Sequence, residues 1–318
     1  MHQSTDENPV KNEDNRKGYR MKHNKVRWER MFPDELEAAF EACPMVYLPY
    51  GLCEPHGWHN AVGLDAIRAH ECSCQAAQAH GGIVAPPFYW HCHEISGYGS
   101  WGHNQINQER PWLTAIPPWM FLKNICYHIR AVDALGFHGA ILFSGHSGPH
   151  RLDVPVVIEI MQAHVGVQMY STMSIGADIE RFVDGKGLGG HAGRGETSVL
   201  WAVAPDCVDM SRMPTDDTRA PHFAMGSFNE SSSRQVGEQM VADIVAHFGQ
   251  KTKELLSAYK AEVSNHTPLT FDDVEGIWED EIRPKLPEFA SLQPPEPAPP
   301  SDSRWYPNSQ VPKKRRIL

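Results

Sequence analysis

The chain reads as an α/β protein: a mostly parallel sheet with helices packed on both of its faces. Short apolar runs of strand length alternate with longer runs of helical periodicity, which is the pattern of β–loop–α units. The residues with chemistry to offer gather in the loops that follow the apolar runs, where open α/β sheets bind their ligands. No internal repeat is visible.

Residues 1–24 are polar and charged and read as an N-terminal arm. Arg27 to Cys43 reads as helix: Phe32-Pro33-Asp34 is a start signal, and Leu36, Ala39 and Phe40 mark an apolar stripe. Met45 to Leu48 is a short buried strand that Gly51 ends. The loop beyond it holds Glu54, His56, His59 and Asp65, the last at the head of a helical run over 66–80. Gly82 to Tyr89 reads as a second strand, which runs into a loop carrying Trp90, His91, His93, Tyr98, Trp101 and His103. A loop of that length suits a substrate lid or a subunit contact; the plainer reading is a packed surface loop. Pro117 to Leu135 is helical, with Phe121, Ile125, His128, Ile129 and Val132 near the helical period and Gly136 as its stop. Gly139 to Ser144 is a buried strand, and Gly145-His146-Ser147-Gly148 is a turn whose glycines let the backbone bend sharply. Val154 to Ala163 is the next helix and Val165 to Ser171 the next strand. A glycine-rich stretch over 185–190 leads to His191, after which Glu196 stands at the start of a helix over Thr197 to Ala204. Ser231 to Lys260 is a long helix with Val236, Met240, Ile244 and Phe248 as its core stripe, and Asp272 to Pro284 a shorter one. This makes one body over 25–286, followed by a proline-rich, extended tail over 287–318.

With 318 residues, the chain is one large domain or two small ones. A net charge of -10 argues against a nucleic-acid partner. No apolar run reaches the roughly 18 residues of a membrane span, and the N-terminus has no apolar core of a secretory signal. The seven cysteines form no CxxC pair, so reduced thiols in a cytoplasmic setting are the simplest account. Cys53, beside Glu54, raises the option of a thiol nucleophile, but no matched His–Asn arrangement supports one.

Glu54 and His56 share one face if the chain stays extended. With Asp65 they offer oxygen and nitrogen donors to a divalent cation, although they cannot close a site alone and need ligands from later strand ends. The bland alternative is that 18 histidines cluster by chance, that Asp65 caps its helix, and that Glu54 is a solvated loop carboxylate. His146 stands at a later strand end, as that requirement asks.

Taken in order, VYLPYGLCEPHGWHNAVGLD, IVAPPFYW, GFHGAILFSGHSGPH, GGHAGRGETSVLWAVAPDCVDM and GSFNESS resemble the creatininase (creatinine amidohydrolase) family, over about 27–260. The resemblance implies a single three-layer α/β/α domain, metal-dependent amide hydrolysis, often two metal ions, and a homo-oligomer such as a hexamer. It places Glu54, His56, Asp65 and His146 on metal-ligand positions, with Asp65 as the bridge between ions, and His191 on the proton-transferring position. A further Glu of creatininase falls here on Gly148, so that ligand is missing; Glu196 is the first candidate to replace it and His150 the second. Creatininase also carries tryptophans between its two late motifs. The interval 165–190 has no Trp here, only Tyr170 and Phe182 as aromatics, which puts specificity for creatinine in doubt. The family's S-x-E-x-H-G loop appears as L-C-E-P-H-G. Substrate contacts are assigned to His59, His93, Trp101 and Tyr170.

The chemistry such residues support is metal-assisted hydrolysis: a Zn, Mn or Fe ion lowers the pKa of a bound water toward about 7. An imidazole titrates in the right range to carry a proton to the leaving amine. Three functions follow. The first is hydrolysis of a C–N bond in a small cyclic or linear amide. The second keeps the metal site but acts on a lactone, a formamide or a sugar-derived substrate. The third is a non-catalytic binding protein that kept the fold, for which the loss at Gly148 would leave the ligand set incomplete.

Overall fold

The central strand β1, Met45–Tyr50, is buried along its whole length. That is the state of a parallel strand covered on both faces. The computed structural model describes residues 25–93, 112–147, 151–173, 188, 190–213, 229–260 and 267–292. The arm over 1–24, Tyr98, Trp101 and His103 of the long loop, Gly148, His150, Phe182 and the tail beyond 292 lie outside them.

The described elements run in the order α1 Pro33–Ala42, β1, α2 Leu64–His80, β2 Ile83–Val84, α3 Pro118–Ala134, β3 Gly139–Ser144, α4 Asp153–Gln162, β4 Gln168–Thr172, α5 Arg194–Val203, α6 Arg234–Ala258 and α7 Phe271–Ile277. All four strands are parallel, in the order β2-β1-β3-β4. β1 and β3 are in register from Met45↔Gly139 to Tyr50↔Ser144.

Side chains alternate along the strands and sort the helices into two layers. Val46, Leu48, Tyr50, Ala140 and Leu142 pack against Phe121, Leu122, Ile125 and Ile129 of α3, Val154 and Val157 of α4, and Val274 and Ile277 of α7. Met45, Tyr47, Ile141 and Phe143 face Ala69, Cys72 and Ala76 of α2, Val199 of α5, and Met240, Ile244 and Phe248 of α6. Each large aliphatic side chain so buried contributes about 1.5–3 kcal/mol. The result is the expected three-layer α/β/α sandwich. The helix after β1 lies on one face and the helix after β2 on the other, so the winding reverses between β1 and β3. The carboxyl ends of these two strands are therefore the switch point at which open α/β sheets bind their ligands.

Several elements differ from the sequence expectation. The first helix is two pieces, a 3-10 turn at Trp28–Arg30 and then α1, because Phe32 is held extended (ψ 159°) ahead of Pro33. The second strand shrinks from eight residues to Ile83–Val84, because Pro86 and Pro87 have no N–H to give a ladder. β4 starts at Gln168 rather than Val165, because the Asp133 carboxylate accepts the N–H groups of Gly166 (2.8 Å) and Val167 (3.0 Å). α5 starts at Arg194, which puts Glu196 inside its first turn. The chain also stays packed beyond 286: Phe289 is buried in the α3/α4 core, and Asp153 accepts the N–H groups of Ala290 (2.9 Å) and Ser291 (2.8 Å).

Candidate metal centre

Two glycines decide how closely the first turn of α2 meets the sheet. A Cβ on Gly51 would stand 2.3 Å from the Ala66 nitrogen, and one on Gly145 would stand 2.0 Å from the Asp65 carbonyl oxygen. Neither has a positive φ; the chain bends at Gly145 and His146 as expected, and Gly145 also serves close approach. Asp65 is thereby pressed onto the ends of β1 and β3, between the loop after β1 that carries Glu54 and His56 and the turn after β3 that carries His146.

The cluster is buried and its histidines are aimed. His56 donates from Nδ1 to the Glu54 carbonyl (3.0 Å), which turns Nε2 inward. That Nε2 lies 3.1 Å from Asp65 Oδ1, 3.5 Å from Glu54 Oε1 and 3.6 Å from Glu196 Oε2. His146 Nδ1 lies 3.1 Å from Glu54 Oε1 and 3.2 Å from Asp65 Oδ2. His191 donates from Nε2 to the Pro55 carbonyl (3.0 Å) and turns Nδ1 toward Glu54 Oε1 at 3.4 Å. Glu54, Asp65 and His146 form one trio with donor atoms within 4.8 Å of one another; His56, Asp65 and Glu196 form a second, and Glu54, His56 and His191 a third. The two oxygens of Asp65 face different histidines, Oδ1 toward His56 and Oδ2 toward His146.

His56 Nε2 and Asp65 Oδ1, which face each other in the cluster, are buried without a hydrogen-bond partner among the described residues. Orphaned donors and acceptors are costly in a dry interior. Carboxylate oxygens and inward imidazole nitrogens converging in this way fit a divalent cation.

The electrostatics agree. Burial acts to raise the Glu54 carboxyl, but His191, His146 and His93 hold it well below the usual carboxylate range. Burial acts to lower the two histidines, yet the neighbouring carboxylates push His56 up to about 9 and His146 up to about 10. Asp65 is likewise lowered, against burial, chiefly by His56. His191 goes the other way: burial lowers it, so it is neutral at pH 7. Cys53 is raised by burial first and by Asp65, which leaves a thiol and not a thiolate nucleophile.

The cluster therefore unites Glu54, His56, Asp65, His146, His191 and Glu196. The residues assigned to substrate divide differently. His93 is buried and its Nε2 bonds Glu54 Oε2, so it sits behind that carboxylate and not on a lid. His59 is buried with Nε2 3.2 Å from Thr197 Oγ1 and is lowered to about 4, by burial first and then by His56; it ties the loop to α5. Tyr170 bonds His247 (3.0 Å) beneath α6, with the Lys251 ammonium over its ring. Trp101 lies outside the described residues. Arg68 was not singled out by the sequence, although it follows Asp65 by three positions and so shares its helix face. It donates to the Gly145 carbonyl and to Glu196 Oε1 (3.3 Å).

A sequence profile of the family Creatininase, described as creatinine amidohydrolase, matches residues 29–255. No curated protein matches the chain. Among solved structures, a creatininase with manganese is 21% identical, with TM-score 0.55, and covers 72% of this chain and 98% of its own. A mutant creatininase of Zn–Zn type is 22% identical, with TM-score 0.53, covering 72% and 97%. A provisionally named creatinine amidohydrolase from Bacteroides fragilis is 17% identical, with TM-score 0.57, covering 78% and 100%.

Proposed function

This chain belongs to the creatininase family of metal-dependent amidohydrolases, and we propose that it cleaves a C–N bond in a small cyclic or linear amide. The observation that carries this reading is Asp65, which belongs to two of the three trios and turns one oxygen toward the histidine of each. In this reading Glu54, Asp65 and His146 would hold one ion, and His56, Asp65 and Glu196 would hold a second, with Glu196 standing in for the carboxylate absent at Gly148. The ions would be Zn, Mn or Fe, whose imidazole and carboxylate preferences fit this donor set. When bound, such an ion polarises a carbonyl and acidifies a water to a pKa of about 7.

The residues of the chain do the remaining work. His191 is neutral at pH 7 and only 13% exposed, so it can take a proton and deliver it to the leaving nitrogen. The hydrogen bond to the Pro55 carbonyl fixes the ring for that task. His93 orients Glu54 from behind. The absence of tryptophan over 165–190, where creatininase holds its flat substrate, favours an amide other than creatinine. A lactone or formamide is the second reading, since the same residues serve a different bond.

No helix among the described residues is long and apolar enough to cross a membrane. No disulfide joins the seven cysteines, which supports a reducing, cytoplasmic setting. The homo-oligomer and the division into an arm, one catalytic body and a tail remain part of the proposal.

Elemental analysis of the purified protein tests the reading. One or two equivalents of Zn, Mn or Fe are expected, lost in Asp65→Ala and His146→Ala, and a screen of amides, lactones and formamides then separates the substrates. A wild-type protein that takes up no transition metal even when ions are supplied points instead to a binding protein without chemistry.

A further inference from the structure

Resting on the two-ion reading above, we infer that Arg68 is a positioning residue: it clamps Glu196 so that one carboxylate oxygen is presented to His56 and Asp65 as a ligand for the second ion. Arg68 lies one turn along α2 from Asp65 and is 5% exposed. One of its nitrogens, Nη2, donates both to the Gly145 carbonyl and to Glu196 Oε1. Gly145 immediately precedes His146. A single guanidinium thus joins the three elements that carry Asp65, His146 and Glu196.

The plainer account is that Glu196 only neutralises a buried guanidinium, which would be costly without a counter-charge. The other oxygen of Glu196 argues against it. Oε2 accepts the Ala192 N–H at 2.7 Å and still faces His56 Nε2 at 3.6 Å, the nitrogen that makes no hydrogen bond. Ala192 presents that N–H from a left-handed conformation, φ 51°, which a residue with a Cβ rarely adopts. Strain beside His191 is therefore spent on fixing one carboxylate. A carboxylate held on one oxygen by Arg68 and on the other by a backbone N–H keeps a lone pair for the cluster. That is what a ligand drawn from a different element must do when the turn after β3 carries Gly148 in place of Glu.

Calorimetric titration of the metal-free full-length protein with Mn2+ or Zn2+, with elemental analysis, tests this on wild type, Arg68→Met, Arg68→Lys, Glu196→Gln and the double variant Arg68→Met/Glu196→Gln. The wild type is expected to bind two ions. Arg68→Met should weaken the second by ~10–100-fold, the usual effect of losing a residue that orients a ligand, and leave the first intact. Arg68→Lys, which keeps the charge, should lose less. The double variant should bind the second ion no more weakly than Glu196→Gln alone, because Arg68 acts through that carboxylate. Unchanged or tighter binding of the second ion in Arg68→Met overturns the inference. So do losses that add in full in the double variant, or an equal loss of both ions, since each marks a merely structural role. A wild type that binds one ion overturns this inference and leaves the hydrolase reading standing; a wild type that binds none overturns both.

Discussion

In the proposed metal centre, protons and divalent ions would compete for the same imidazole nitrogens. Without metal, the carboxylates around His56 and His146 hold these rings protonated up to about 9 and about 10, although burial alone would lower both. A folded pKa above the unfolded value of about 6.5 gives stability that is full below that value and lost as pH rises through the folded pKa. Chelator-treated protein should therefore lose melting temperature between pH 7 and 10, while the metal-loaded protein, whose ligand histidines are already neutral, should show no such fall from these groups. Metal addition at pH 8 should release protons, measurable in weakly buffered solution. A metal-free melting temperature that rises across this window would mean that the two imidazoles are not held charged. The residues that cluster were legible because Glu, His and Asp in loops after apolar runs are conspicuous. The places of His93 behind Glu54 and His59 against Thr197 were not, because each depends on a partner far away in sequence.

At the level of elements, the metal centre depends on how tightly α2 is pressed against the ends of β1 and β3. Gly145→Ala should drive a methyl into the Asp65 carbonyl, a contact of 2.0 Å that only backbone movement can relieve. Overpacking of this kind costs about 1–3 kcal/mol or more, and here the displaced atom belongs to the candidate bridging residue. Metal content in Gly145→Ala should fall further than melting temperature alone predicts, whereas a variant with full metal content would show that the helix can yield. β3 was legible residue for residue, since an uninterrupted apolar run between glycines has one reading. β2 was not, because IVAPPFY keeps the hydrophobicity of a strand while its prolines remove the donors that a ladder needs. The sequence marked Gly145 for the bend that the chain makes there, but not for the close approach, which shows only once the helix above is placed.

Across the whole molecule, β–loop–α alternation indicated a parallel sheet between two helical layers, but alternation alone does not order the strands. The order β2-β1-β3-β4 follows from the reversal after β2, and it is this reversal that sets the Glu54 loop beside the His146 turn. The α3/α4 layer is closed by a segment that composition had assigned to an extended tail. Phe289 is 3% exposed within that layer, and Asp153 holds the two residues after it by their N–H groups. A proline-rich segment can pack without periodicity when one aromatic and a few backbone donors find partners, and composition does not register that. Phe289→Ala should cost about 3–5 kcal/mol, the usual range for a buried Phe, and lower the melting temperature by several degrees or more. Because Phe289 packs on the face of the sheet opposite α2 and α5, metal content should stay at the wild-type level. A variant that melts like the wild type would return this segment to the tail, whereas one that loses metal along with stability would mean that the two helical layers are coupled through the sheet.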